Sequence, residues 1–178
     1  RRSSDLPQAL WLGWRRSLRG RRRMRPCVTA WVALGANWGD ALAQVQSAVT
    51  ALQQHPDLHG VEVSRLYRTA PHQAQGPDFI NAVVRLQTPL TAPALLELLQ
   101  DLEQQAGRER PYPNAPRTLD LDLIFYGDAC ILSPRLTVPH PRWRERAFVL
   151  HPLLDLSPDK VPPAYLEAVA NQPITPLP

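Results

Sequence analysis

Lysine, cysteine and methionine are nearly absent from this chain, and each scarcity closes off a class of function. Lys160 is the single lysine, and the turn from Leu34 to Asp40 (Leu-Gly-Ala-Asn-Trp-Gly-Asp) lacks the Gly-Lys-Ser/Thr ending of a P-loop, which excludes a Walker-type NTPase. Two isolated cysteines, Cys27 and Cys130, are too few for a disulfide framework or a zinc site. They suit a reducing, cytoplasmic setting and read as packing residues. No apolar run approaches the length needed to cross a bilayer, so no membrane partner is expected. With 44% hydrophobic residues in 178, the composition supports one domain with a real core.

Acidic residues are scarce at the start of the chain and in excess after it. Residues 1–26 hold nine arginines and one aspartate; of the 20 basic and 16 acidic residues overall, 11 and 15 then remain for the rest. The basic balance therefore belongs to the leading stretch, and the domain itself gives no reason to expect nucleic acid as a partner. The only methionine, Met24, stands just before the first strand-like run, so residues 1–26 are expected to be an Arg-rich extension outside a single domain spanning 27–178.

From Cys27 onward the periodicities alternate. Val28 to Leu34 reads as a buried strand ended by Gly35, and Asp40 caps a helix carrying Leu42, Val45, Val49 and Leu52 until His55-Pro56. Val61 to Thr69 and Phe79 to Leu86 read as strands separated by a loop with Pro71, Gly76 and Pro77. Thr91 caps a second helix, with Pro93 in its first turn, an apolar stripe from Leu95 to Ala106, and Gly107 at its end. A last strand follows. The order strand, helix, strand, strand, helix, strand predicts an α+β, ferredoxin-like split βαβ sandwich with helices on one face of an antiparallel sheet. Beyond Gly127 the chain reads as irregular and proline-rich, with one short helix near Tyr165 to Ala170.

Chemistry concentrates in that last strand, Pro116-Arg-Thr-Leu-Asp-Leu-Asp-Leu-Ile-Phe125. Alternation places Asp120 and Asp122 on one face, and Leu119, Leu121, Leu123 and Phe125 on the other. Two like charges about 6 Å apart cost about 2.8 kcal/mol at an effective dielectric of about 20, so a cation is expected beside them. Divalent ions bridging the pair to phosphate oxygens would make this a phosphoryl-transfer site, whereas charges on an exposed strand face are also a common guard against edge pairing. Arg108, Arg110, Arg117, Arg135 and Arg146 supply planar forks suited to phosphate oxygens. His140 sits between Pro139 and Pro141, in position to donate to a phosphate. Phe79 and Asn81 share a strand face, and with Phe148 they offer two rings and an amide for a flat heterocycle.

Together, Pro-Arg-Thr-Leu-Asp-Leu-Asp-Leu (116–123), Leu-Tyr-Arg-Thr-Ala-Pro (66–71), Phe-Ile-Asn-Ala (79–82), Leu-Thr-Val-Pro-His-Pro (136–141) and Arg-Ala-Phe-Val-Leu (146–150) resemble the 6-hydroxymethyl-7,8-dihydropterin pyrophosphokinases of folate biosynthesis, from about Thr29 to Leu156. The resemblance implies transfer of the terminal pyrophosphate of ATP to a pterin hydroxymethyl group with release of AMP, assisted by two magnesium ions. By that likeness Asp120 and Asp122 would hold both ions, and Arg108 and Arg117 would contact the phosphates as charge develops at the bridging oxygen. Gln100, Glu103, Arg110, Arg135, Thr137, His140 and Arg146 would line the nucleotide side, while Thr69, Ala70, His72, Phe79, Asn81 and Phe148 would form the pterin slot. The same likeness implies small-molecule partners only, and a monomer is expected. One departure stands out: many members carry an aromatic and a glycine where this chain has Asn114-Ala115, so a gating tryptophan is missing and Tyr112 is the available substitute. Two alternatives remain at this level: another metal-dependent nucleotide transferase, and an RNA-binding ferredoxin-like module.

Overall fold

A computed structural model describes residues 25–71, 76–107 and 118–178. Its sheet is built from β1 (Val28–Ala36), β2 (His59–Val63), β3 (Tyr67–Thr69), β4 (Phe79–Thr88), β5 (Asp120–Tyr126) and β8 (Ile174–Pro176), with β6 (Ile131–Leu132) and β7 (Thr137–Val138) forming a separate pair. The order is β5-β1-β4-β3-β8, with β2 also on β4, and every pairing is antiparallel. Helices α1 (Ala41–Gln54) and α2 (Ala92–Gln105) cover one face, as the ferredoxin-like expectation required. Both begin where the sequence places their caps: Asp40 Oδ1 accepts from Ala43 N at 3.0 Å and Thr91 Oγ1 from Ala94 N at 3.3 Å, satisfying donors the first turn leaves without partners. Under them lies a core of Val32 and Leu34 from β1, Val84 and Leu86 from β4, Leu121 and Leu123 from β5, and Val45, Leu52, Leu95 and Leu99 from the helices.

The second face is where the structure departs from expectation. It is covered by α3 (Ala147–Leu156), which was not expected, and by α4 (Pro163–Ala168), which overlaps the short helix expected near Tyr165 to Ala170, so the sheet has helices on both sides. Helix α3 escapes a periodicity reading because Pro152 sits inside it and because it is apolar nearly all round, with Ala147, Val149, Leu150, Pro152 and Leu153 buried. These residues close on Trp31, Ala33, Val83, Ile124 and Phe125 from the sheet. Edge-to-face contacts of Trp31 with Phe125 (5.8 Å) and Phe125 with Trp143 (4.9 Å) add about 0.5–1.5 kcal/mol each. Strand β8 likewise lies in a stretch read as irregular.

Two single-residue irregularities break the expected alternation. The strand read from Val61 to Thr69 divides in two: Val63 pairs with Val84 and Tyr67 with Asn81, so four steps on one side match three on the other and Tyr67 turns to the α3 face. Ser64 bridges the break, its hydroxyl accepting from Val83 N at 3.0 Å and donating to Arg65 O at 2.7 Å. In β5 the register slips between Val32↔Leu123 and Trp31↔Phe125, so Phe125 lies with the aromatic cluster on the aspartate face and not opposite it. Cys27 and Cys130 are both exposed, which corrects their reading as packing residues.

The break between β2 and β3 also anchors α3. Arg65 donates to Asp155 from Nη2 (2.7 Å) and from its backbone N (3.1 Å), and Tyr67 Oη donates to the same carboxylate at 2.9 Å. Burial alone would push the Asp155 carboxyl up; the bonds from Arg65 and Tyr67 outweigh it and hold the group below 3.8. Burial and the Asp155 hydrogen bond push the Tyr67 phenol up to about 12, so it stays a donor. A depressed carboxylate adds stability that is complete above its ordinary value and disappears as pH falls through its folded value. The urea midpoint is therefore expected to drop as pH is lowered below 3.8, and Asp155→Asn to flatten that drop while costing about 1 kcal/mol at neutral pH, allowing for the solvent around Arg65. Parallel urea titrations of the two proteins check this.

Candidate active site

Register across the sheet assembles the site. On the α3 face, Asp120 pairs with Gly35, Gly35 with Asn81 and Asn81 with Tyr67, while the next row runs from Asp122 through Ala33 to Val83. Facing residues of antiparallel strands point the same way. Both carboxylates therefore stand beside the two smallest residue types available, which leaves room in front of them. Gly35 lies inside β1 and does not end it. A Cβ there would come 3.2 Å from Asn81 Oδ1 and 3.9 Å from Phe79 Cδ1, so the glycine is the floor of a recess walled by the amide and the ring. Sequence reading missed this role; the signal available was a glycine two residues after Ala33 on the same strand face.

Asn81 is 3% exposed and donates from Nδ2 to Thr69 Oγ1 at 2.9 Å, which fixes the amide orientation. Thr69 in turn pairs with Phe79 across β3 and β4, so Thr69, Phe79 and Asn81 form one end of the recess, with Ala70 directly after β3. Phe148 enters from the first turn of α3. Arg146, the residue leading into α3, places its guanidinium 3.4 Å from Asp122 Oδ2 and 5.5 Å from the Phe148 ring centroid. It thereby joins the carboxylate end of the site to the aromatic end.

His140 is held against β5 by its backbone N–H, which donates to Ile124 O at 3.0 Å, just after a cis Val138-Pro139 bond. Arg142 N donates to His140 Nδ1 at 3.2 Å, so the neutral ring carries its proton on Nε2 and presents a donor there. Burial holds the imidazole below 6.5; the Asp122 charge pulls it up, Arg146 pushes it down, and Asp120 and Arg142 act more weakly in the same opposing senses. The group is neutral at pH 7.

The other expected nucleotide-side residues lie along α2 and the edge of β5. Glu103, 3% exposed, accepts from Leu121 N at 2.7 Å, between the two aspartates, so it pins the strand that carries them and does not present an open carboxylate. Gln100, one turn earlier, is exposed. Arg135 pairs with Glu97 at 3.6 Å on the same helix, with both side chains exposed, and Thr137 is half-buried in β7. The structure thus gathers Asp120, Asp122, His140, Arg146, Phe148, Thr69, Phe79 and Asn81 on one face, with Gln100 on α2, Arg135 joined to that helix through Glu97, and Thr137 in β7. His72, Arg108, Arg110 and Arg117, as well as Tyr112, Asn114 and Ala115, lie outside the described residues.

Two carboxylates next to open space are hard oxygen donors of the kind that hold magnesium, which keeps much of its shell as water and phosphate oxygen. Among the described residues no cluster of three or more His, Cys, Asp or Glu stands together.

A family model for 7,8-dihydro-6-hydroxymethylpterin-pyrophosphokinase (HPPK) matches residues 31–158. A 2-amino-4-hydroxy-6-hydroxymethyldihydropteridine pyrophosphokinase from Synechocystis sp. is 44% identical over 140 residues, covering 77% of this chain and 70% of its own length. One from Pseudomonas aeruginosa is 44% identical over 130 residues, covering 72% and 80%. The folic acid synthesis protein fol1 of Schizosaccharomyces pombe is 39% identical over 135 residues, which are 75% of this chain but 18% of that much longer protein. The matched span runs from Trp31 in β1 past the end of α3 and so takes in every strand and helix that meets at the recess, which places the chain in the 7,8-dihydro-6-hydroxymethylpterin-pyrophosphokinase family.

Proposed function

We propose that this protein transfers the terminal pyrophosphoryl group of ATP to the hydroxyl of 6-hydroxymethyl-7,8-dihydropterin, as a step in folate biosynthesis, and that residues 27–178 are its single catalytic domain, with 1–26 outside it. The hydroxyl oxygen attacks the β-phosphorus of ATP and a new O–P bond forms. The bond from that phosphorus to the α,β-bridging oxygen breaks, AMP leaves, and the hydroxyl proton passes to solvent. The observation that carries this reading is the row Asp120–Gly35–Asn81, which sets a carboxylate pair, a bare floor and an oriented amide side by side.

In this reading Asn81 and Thr69 hydrogen-bond to the pterin edge, and Phe79 and Phe148 cover its faces, with Ala70 and His72 completing the slot. His140 donates from Nε2 to a phosphate oxygen, the ring being oriented for this by the bond from Arg142 N to Nδ1. Arg146 offsets part of the Asp122 charge, so that the pair is tolerated before nucleotide arrives. Arg108 and Arg117 meet the negative charge that grows on the bridging oxygen, a positioning and electrostatic task. Arg110, Arg135, Thr137 and Gln100 complete the nucleotide side, and Glu103 keeps β5 in register. Two magnesium ions, held by Asp120 and Asp122, would neutralise the phosphates and polarise the β-phosphorus when bound. The expected outcome is AMP release from ATP only when magnesium and the reduced hydroxymethylpterin are both present, read by chromatography of the nucleotides. Release of ADP or of inorganic pyrophosphate in its place would discard this chemistry.

A further inference from the structure

Helix α3 delivers both Arg146 and Phe148 to the site, yet its own entry is poorly secured. Its first N–H groups have no partner within the helix, and Arg146, in the N-cap position, makes no side-chain capping bond. Arg146 is also the one extended residue (φ −121°, ψ 109°) between the 3-10 turn Trp143–Glu145 and the helix. That pair of backbone angles sets the direction in which the Arg146 side chain leaves the chain, and so where its torsions must start from to reach Asp122.

A residue far along the chain spans that hinge. Gln172 Oε1 accepts from Ala147 N at 2.9 Å, and its Nε2 donates to Glu145 O at 2.8 Å, so one side-chain amide grips the backbone on both sides of Arg146. Gln172 is itself fixed: its N–H donates to Val169 O at 2.9 Å, Ile174 two residues on pairs with Thr69 in β3, and Leu177 N donates to Leu66 O at 2.8 Å. The clamp is thus tied to the same strand that carries Thr69. It also lies beyond the span matched by the family model, which ends at residue 158.

We propose that Gln172 is a positioning residue that acts through Arg146, holding its guanidinium against Asp122 so that the nucleotide meets a formed site; this rests on the activity proposed above. The test is a double-mutant cycle in the full-length protein, with AMP release measured for the unaltered chain, Gln172→Leu, Arg146→Ala and the pair. Gln172→Leu is expected to lower kcat/KM for ATP about tenfold, and the double variant to be no worse than Arg146→Ala alone, since a lost orientation costs nothing once the oriented group is gone. Val161→Ala, which trims the second core and takes no part in the two Gln172 bonds, should lower the melting temperature with kcat/KM unchanged. Losses that multiply in the double variant, or a Gln172→Leu enzyme with normal kcat/KM, would overturn the proposal. Hydrogen exchange of the Ala147 amide separates the clamp from the activity. Faster exchange in Gln172→Leu is expected even if the unaltered chain releases no AMP, an outcome that would remove the proposed function instead, and unchanged exchange would dismiss the clamp.

Discussion

Asp122→Ala is expected to reduce AMP release on the order of a thousandfold, about 4 kcal/mol of transition-state stabilisation, while leaving the protein folded. The carboxylate stands opposite Ala33 on the α3 face of β5, touches Arg146 at 3.4 Å, and lies close enough to His140 to pull its titration upward. Its removal takes away half of the oxygen donor pair and leaves Arg146 without that partner. Like-charge repulsion with Asp120 disappears at the same time, so the two effects on folding oppose each other and the melting temperature should move by only a few degrees. The measurement is AMP formation under saturating magnesium, alongside thermal unfolding. Magnesium-dependent turnover surviving within tenfold of the unaltered protein would show that the pair is not where the ions act.

Gly35→Val is expected to weaken pterin binding about a hundredfold, or about 2.7 kcal/mol, with nucleotide binding nearly preserved. Adding a Cβ already brings carbon to 3.2 Å from Asn81 Oδ1, and the two methyl groups beyond it would fill the recess between Asn81, Phe79 and Asp120. Valine suits the extended backbone of a strand, so the cost to the fold is the close contact with Asn81, about 1–3 kcal/mol of stability. Titration of the reduced pterin into the variant, with and without a non-hydrolysable ATP analogue, reads the effect. Unaltered pterin affinity would mean that the flat substrate does not lie over β1.

The two helices on the first face were legible because their information is local. Asp40 and Thr91 cap them, apolar residues recur at helical spacing, and His55-Pro56 and Gly107 end them. Helix α3 was not, because a helix buried on nearly every side has no polar stripe to mark its period, and Pro152 reads as a breaker although its neighbours hold it in place. The aspartate pair was visible as a face of a strand, whereas Phe125 was assigned to the wrong side. One extra residue in β5 reverses alternation, and only the partner strand reveals the slip. The same accounting explains Tyr67, which a single inserted residue turns toward Asp155 and α3.

Sequence by itself determined the ferredoxin-like order of elements, the capped helices, the strand carrying Asp120 and Asp122, and the motifs that point to a pterin pyrophosphokinase. Each is written in neighbouring residues, through spacing, capping or composition, and needs no knowledge of the partner strand. Tertiary structure alone decided that Gly35 floors the recess, that Glu103 secures β5 from the opposite face, and that Gln172 grips the backbone around Arg146. Those contacts join residues far apart in the chain through register and packing, and no local pattern encodes which distant group will arrive.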